Sequence, residues 1–177
     1  MQTFLNLNSF DTEILYSLEN DTVIQSLEKK VKYLIIYGPN KSGKTTIAKK
    51  FSINNNIDLT NSVPDELNFN KETYLDLNTL PGQDEYFFHF LQYFVTNNIP
   101  LTIFTSENSI DNLNGEFYLP DVVSRLKQFT LCNIHNPSKG LLIKLINKYL
   151  SLKSISVSDQ IIIEVLNHIE RTYFNNN

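Results

Sequence analysis

Apolar residues along this chain fall into two rhythms that alternate. Tyr33–Tyr37, Thr73–Leu77, Leu101–Ser106 and Phe129–Ile134 are short, nearly unbroken apolar runs, the character of strands buried on both faces. Ile57-Asp58-Leu59 reads as a further short strand. Between them the apolar residues switch to helical spacing. Val23, Ile24, Leu27 and Val31 follow a Thr22–Gln25 pattern that resembles a capping box, which predicts a short helix before the first strand. Phe87, Leu91, Phe94 and Val95 mark a later helix after a Pro81-Gly82 turn, and Val122, Val123 and Leu126 mark a short one after a loop holding Gly115 and Pro120. Residues 1–20 read as extended or loop-like. Strands and helices alternating at this spacing predict a parallel sheet with helices on both faces.

Asn136-Pro137 punctuates the pattern. Beyond it Leu141, Leu142, Leu145, Ile146 and Tyr149 predict one helix, and Ile161, Ile162, Val165, Leu166 and Ile169 a second, with no further strand. The chain is therefore divided into an N-terminal segment and short helix (1–32), an α/β core (33–136) and a small helical piece (137–177). The Asn-rich tracts, Asn54–Asn56 among them, read as surface loops.

The first strand carries the most specific chemistry. Tyr33–Tyr37 breaks at Gly38 and runs through Pro39, Asn40, Lys41 and Ser42 to Gly43, Lys44, Thr45 and Thr46, where a helical stretch begins. Gly-x-x-x-x-Gly-Lys-Thr between a strand and a helix is a phosphate loop. Gly38 and Gly43 permit backbone angles that turn successive N–H groups inward around phosphate oxygens. The helix N-terminus adds its partial positive charge. Lys44 is expected to reach the β- and γ-phosphates of ATP or ADP, and the Thr45 hydroxyl to ligate Mg²⁺. An accidental glycine-rich turn would not fill all four fixed positions with the right flanks.

Such a loop needs an acidic partner for Mg²⁺ at the end of a neighbouring strand. Asp76, closing Tyr74-Leu75-Asp76, is the candidate; a turn-forming aspartate is the competing reading. Many nucleotide hydrolases place a second carboxylate next, to orient the attacking water. Here the next residue is Leu77, followed by Asn78 and Thr79, and an uncharged side chain cannot serve as a general base. Intrinsic hydrolysis is expected to be weak.

Composition narrows the setting. With 177 residues and 41% hydrophobic content the chain can bury one domain core. It has no stretch near the roughly 20 apolar residues of a membrane helix and no secretion-signal pattern, so a cytoplasmic protein is expected. Its one cysteine, Cys132, lies in an apolar run and reads as a buried structural thiol. The net charge of −4 lacks the basic footprint of a stand-alone nucleic-acid binder. Lys139, Lys144, Lys148 and Lys153 fit a solvated helix face as well as a weak backbone contact.

The phosphate loop, the Asp76 strand, Ile103-Phe-Thr-Ser-Glu107 and Leu119-Pro-Asp-Val-Val-Ser-Arg-Leu126 together resemble the AAA+ domain of the DnaA replication initiator family, and most of all its short Hda-type regulators. The resemblance covers nearly the whole chain and implies an AAA+ P-loop NTPase: a five-stranded parallel sheet between helices, followed by a helical lid. By that resemblance Ser106 and Glu107 fall where sensor I polar residues meet γ-phosphate or water. Arg125 falls on the arginine finger that projects into a neighbouring subunit's site, although an arginine on a short helix could also pair a surface carboxylate. Arg171 falls on the sensor II arginine of the lid, which is expected to be truncated, since the family lid continues past this arginine. Glu107 stands where an Asp is more usual.

The same likeness implies partners. Nothing here corresponds to the initiator's DNA-reading helix-turn-helix or its N-terminal self-association domain, so sequence-specific DNA binding is not expected and engagement of another AAA+ protein, DnaA itself, is. Gln2-Thr-Phe-Leu-Asn-Leu7 resembles the peptide by which Hda-type regulators dock on the DNA polymerase sliding clamp, with Gln2, Leu5 and Leu7 matching and Thr3 replacing the usual Leu. Packing of Phe4 and Leu5 on the core is the alternative. The implied function is regulation of replication initiation: binding adenine nucleotide, docking on the clamp and promoting hydrolysis of DnaA-bound ATP. Two rivals stay open. One is a degenerate DnaA paralogue or helicase-loader-like adaptor that uses nucleotide as a switch. The other is a small P-loop kinase, which would want an arginine-rich lid, whereas the chain has only Arg125 and Arg171. Whether copies self-associate is not legible.

Overall fold

The computed structural model describes residues 17–106, 110, 113 and 118–174, excluding the side chains of 169–174. Residues 18–136 form one compact unit, and residues 137–174 belong to another.

In the first unit the elements are α1 (Asp21–Glu28), β1 (Tyr33–Gly38), α2 (Lys44–Asn55), β2 (Asp58–Thr60), β3 (Thr73–Asp76), α3 (Glu85–Thr96), β4 (Leu101–Ser106), α4 (Pro120–Leu126) and β5 (Thr130–Asn133). The strands form one five-stranded sheet in the order β2-β3-β4-β1-β5. Every pairing is parallel. The predicted alternation is therefore the observed one, and the strand that opens into the phosphate loop lies inside the sheet.

Strand alternation assigns the two faces. Ile35, Leu75, Leu101 and Ile103 project to one side and join Phe87, Phe90, Leu91 and Phe94 of α3 and Val122 and Leu126 of α4 in one buried cluster. The opposite face presents Leu34, Ile36, Tyr74 and Phe104, all fully buried. Here α2 packs on β1 to β4 and α1 on β5. Burying a Phe or Leu side chain contributes about 1.5–3 kcal/mol, so the four apolar side chains of α3 hold that helix firmly. Cys132 is 4% exposed, with its sulfur 3.3 Å from Ser26 Oγ, consistent with a structural thiol.

Two local details depart from the sequence reading. The capping box at Thr22 does not form: α1 opens a residue earlier, at Asp21, whose Oδ2 accepts a 2.7 Å bond from Gln25 Nε2. That leaves the Gln25 amide no means of closing the box. Gly38, read with Gly43 as permitting backbone angles that turn N–H groups inward, has no positive φ; a Cβ there would collide with the carbonyl oxygen of Ile134, just past β5.

The second unit contains α5 (Lys139–Leu152) and α6 (Asp159–Phe174), packed on each other. Ser138 caps α5, its Oγ accepting from the Leu141 N–H at 3.2 Å. Lys139, Lys144 and Lys153 are exposed, as a solvated face requires, and the Lys139 ammonium donates to Asn167 Oδ1 at 3.2 Å. Among the described residues no helix is long and apolar enough to cross a membrane.

Candidate functional site

The loop from Gly38 to Gly43 joins the C-terminal end of β1 to the start of α2. Gly43, the residue before α2, has φ +98° with open space around its Cα, so its glycine answers a backbone requirement. Lys41 also takes a left-handed conformation, φ 66°. Together these turn the loop so that α2 starts at Lys44, with the Ile47 N–H donating to Gly43 O at 3.0 Å. The first N–H groups of α2 have no carbonyl inside the helix to receive them, which is the feature that suits a helix start to an anion.

The Lys44 ammonium lies over this loop. It donates to Gly38 O and Pro39 O, each at 2.7 Å, and to Ser42 Oγ at 3.3 Å. The cation is thereby held at the mouth of the loop by the carbonyls that border it. Thr45 and Thr46 are exposed in the first turn of α2, which leaves the Thr45 hydroxyl accessible to a metal ion.

Two neighbouring strands bring their ends to the same edge. Gly38 pairs with Ser106, and Asp76 with Phe104, so β3, β4 and β1 finish side by side. The ladder continues past β3: Leu77 N–H donates to Phe104 O at 2.8 Å, and Ser106 N–H to Asn78 O at 3.2 Å. Asp76, Phe104, Ser106 and Gly38 project to the face that α2 covers. Leu77 projects to the other and packs against the α3–α4 core. Its position is a packing position, and no carboxylate occupies it. Behind Asp76 the Tyr74 ring packs edge-on against Phe104, and burial, with the Glu72 carboxylate adding, pushes its phenol well above the ordinary value and keeps it neutral.

A Mg²⁺ bound with a nucleotide uses few protein oxygens and fills its octahedron with water and phosphate. Thr45 and Asp76 are a donor pair of that kind. No cluster of three or more His, Cys, Asp or Glu exists among the described residues, and this chemistry needs none.

Arg125 is not part of that assembly. It lies in the last turn of α4, in the helix layer on the face opposite α2. Its guanidinium carbon sits 5.9 Å from the ring centroid of Phe88, and its Nε is buried without a hydrogen-bond partner. The Phe88 contact has no sequence signature, because the two residues lie on different helices. Gln2, Leu5, Leu7, Gly115 and Glu107 lie outside the described residues, and Arg171 lies in α6 where side chains are not described.

A parallel sheet of this order, with a glycine-lysine-threonine loop leaving an interior strand and an acidic residue closing a nearby one, is the fold of the AAA+ P-loop NTPases. Solved structures share the fold. The replication initiator DnaA bound to AMPPCP and single-stranded DNA superposes with a TM-score of 0.64 at 12% identity, over 93% of this chain and 61% of that one. AMPPCP-bound DnaA from Aquifex aeolicus gives 0.62 at 16% identity over the same shares. The Thermotoga maritima RuvB Holliday junction branch migration motor gives 0.53 at 14% identity, over 78% of this chain and 53% of that one. The chain thus spans about three-fifths of the DnaA chains it resembles. No family model matches the sequence, and no curated protein matches it.

Proposed function

We propose that this chain is a DnaA-related regulator of replication initiation that binds adenine nucleotide and promotes hydrolysis of ATP held by DnaA. Gly38–Thr46 would hold the phosphates, with Lys44 leaving the loop carbonyls for the β- and γ-oxygens. Thr45 and Asp76 would hold Mg²⁺, which when bound neutralises phosphate charge. Ser106, next to Gly38 on β4, would face the terminal phosphate. Arg171 would serve as the sensor II arginine of the lid, and the N-terminal Gln2, Leu5 and Leu7 would dock on the sliding clamp.

The observation that carries this reading is the contrast between the two halves of the chemistry. Beside the chain's own loop Asp76 closes β3, but Leu77 stands where a general base would, and Arg125 is set apart from that loop, in the helix layer on the other face. A guanidinium so placed suits a phosphate on another molecule. Its planar fork matches phosphoryl oxygens, and such a finger supplied in trans is worth roughly 10³–10⁵ in rate.

The test is single-turnover hydrolysis of ATP preloaded on DnaA, with clamp on DNA, comparing wild type, Arg125→Ala and Arg125→Lys. Both variants should keep their fold and nucleotide affinity and lose most of the stimulation. Lysine should fail because a point charge on a flexible stem does not reproduce the fork. Equal stimulation by all three proteins would refute the mechanism.

A further inference from the structure

Arg125 declines the partner that its own helix offers. Asp121 precedes it by four residues on α4, the spacing and order in which a carboxylate and a cation ordinarily meet across one turn. No ion pair joins them. The guanidinium turns instead toward α3 and lies over the face of Phe88, with its Nε sealed from solvent and no oxygen accepting the Nε hydrogen. A buried N–H with no oxygen partner is costly. What offsets that cost is the electron-rich face of the ring, which attracts a cation within about 6 Å.

The ring is well fixed. Phe88 packs against the main core and meets the His89 ring edge-on at 5.3 Å. Its neighbours Phe87, Phe90, Leu91 and Phe94 are all fully buried, and α3 packs directly on α4. The two terminal nitrogens of Arg125, by contrast, make no hydrogen bond among the described residues. The guanidinium carbon rests on an aromatic surface while the forked end has no partner among the described residues.

We propose that Phe88 is the positioning residue of Arg125: its ring keeps the guanidinium off Asp121 and presents the two terminal nitrogens together to the terminal phosphate of a nucleoside triphosphate bound by a neighbouring molecule. An arginine paired with Asp121 would have its fork occupied. One waving in solvent would lose its freedom at the moment of engagement, and holding it in advance removes much of that loss. The proposal rests on the in-trans reading of Arg125 given above and adds the group that makes it effective.

Two measurements test it. The chain has two arginines, so Arg171→Lys assigns the Arg125 Nε–H resonance in a ¹H–¹⁵N spectrum. Lying over the ring, that proton should be shifted upfield in wild type and in Phe88→Tyr. It should return to the ordinary position in Phe88→Leu and Phe88→Met, two ringless variants whose unchanged nucleotide affinity reports intact folding. With DnaA preloaded with ATP as the probe, both ringless variants should lower the maximal hydrolysis rate at least tenfold at an unchanged half-saturating concentration, while Phe88→Tyr and Asp121→Asn keep the wild-type rate. An Nε–H resonance that ignores Phe88, or a wild-type rate in a folded ringless variant, overturns the proposal. Loss of rate in Arg125→Ala but not in the ringless variants sinks Phe88 alone, whereas a wild-type rate in Arg125→Ala sinks the in-trans reading and this proposal with it.

Discussion

Replacing Lys44 by alanine probes the phosphate loop on both sides of the binding equilibrium. The ammonium makes two 2.7 Å bonds to Gly38 O and Pro39 O and a longer one to Ser42 Oγ. Hydrogen bonds to a charged group are worth about 1.5–3 kcal/mol each, and these sit at a part-exposed loop, so solvent takes back some of that. Without nucleotide, Lys44→Ala should therefore lose about 1–2 kcal/mol of unfolding free energy, read in urea. With nucleotide, the wild-type lysine exchanges carbonyl partners for phosphate anions, and only the difference appears as affinity. That difference favours the anion, since both partners are then charged. The expected loss is ten- to a hundredfold in affinity for ATP and ADP, about 1.4–2.7 kcal/mol, measured by calorimetry with Mg²⁺. Equal affinities would refute phosphate binding by this loop. A loss beyond a thousandfold with unchanged urea stability would refute the exchange, because it would show that the carbonyl bonds carry no weight.

Three further expectations follow from other parts of the chain. Because Leu77 belongs to the core, the purified protein should turn over ATP well below the roughly 10 s⁻¹ typical of enzymes, and a brisk partner-free ATPase would mean that the base lies elsewhere. Burial raises the Glu72 carboxyl above its ordinary value, against a smaller opposing pull from Lys30. Its favourable contribution thus belongs to the protonated form, present below the carboxylate range and lost as pH rises through the folded value. Glu72→Gln should then stabilise the fold at pH 7 and lose that advantage below about pH 4; urea midpoints with the opposite trend would reverse the assignment. Deleting residues 1–8 should abolish clamp binding in a pull-down and leave nucleotide affinity unchanged, and a truncated chain that still binds clamp would eliminate the docking peptide.

The parts of this structure that were readable in the sequence are those in which neighbours along the chain cooperate. Tyr33–Thr46 encodes a strand, a loop and a helix in one stretch, and Tyr74–Asp76 encodes a buried strand with its polar end. Period and composition are enough for such segments. What stayed hidden depends on residues far apart in sequence. Gly38 is glycine because Ile134 passes close by, and a Cβ on Gly82 would collide with the Tyr118 ring; neither approach leaves a mark in local pattern. Phe88 lies off the Phe87, Leu91, Phe94 and Val95 stripe that marks its helix, and Asp121 is the carboxylate that i,i+4 spacing offers Arg125. The Thr22 capping box failed for a local reason: Asp21 offered the Gln25 amide a charged acceptor four residues away.

The strand order also constrains how the protein is made. The strand that opens into the phosphate loop is β1, yet its two sheet neighbours begin only at Leu101 and Thr130. A nascent chain that has emerged as far as Thr96 can pair β2 with β3, but β1 then has no sheet partner on either side. Ser106, which sits beside Gly38, does not yet exist. Closing so long a loop is entropically slow, and an unpaired apolar strand is exposed to misassociation meanwhile. Nucleotide can therefore act as a template for folding only late in synthesis, after β4 has inserted between β3 and β1. Ribosome-bound chains ending before residue 101 should fail to retain ATP.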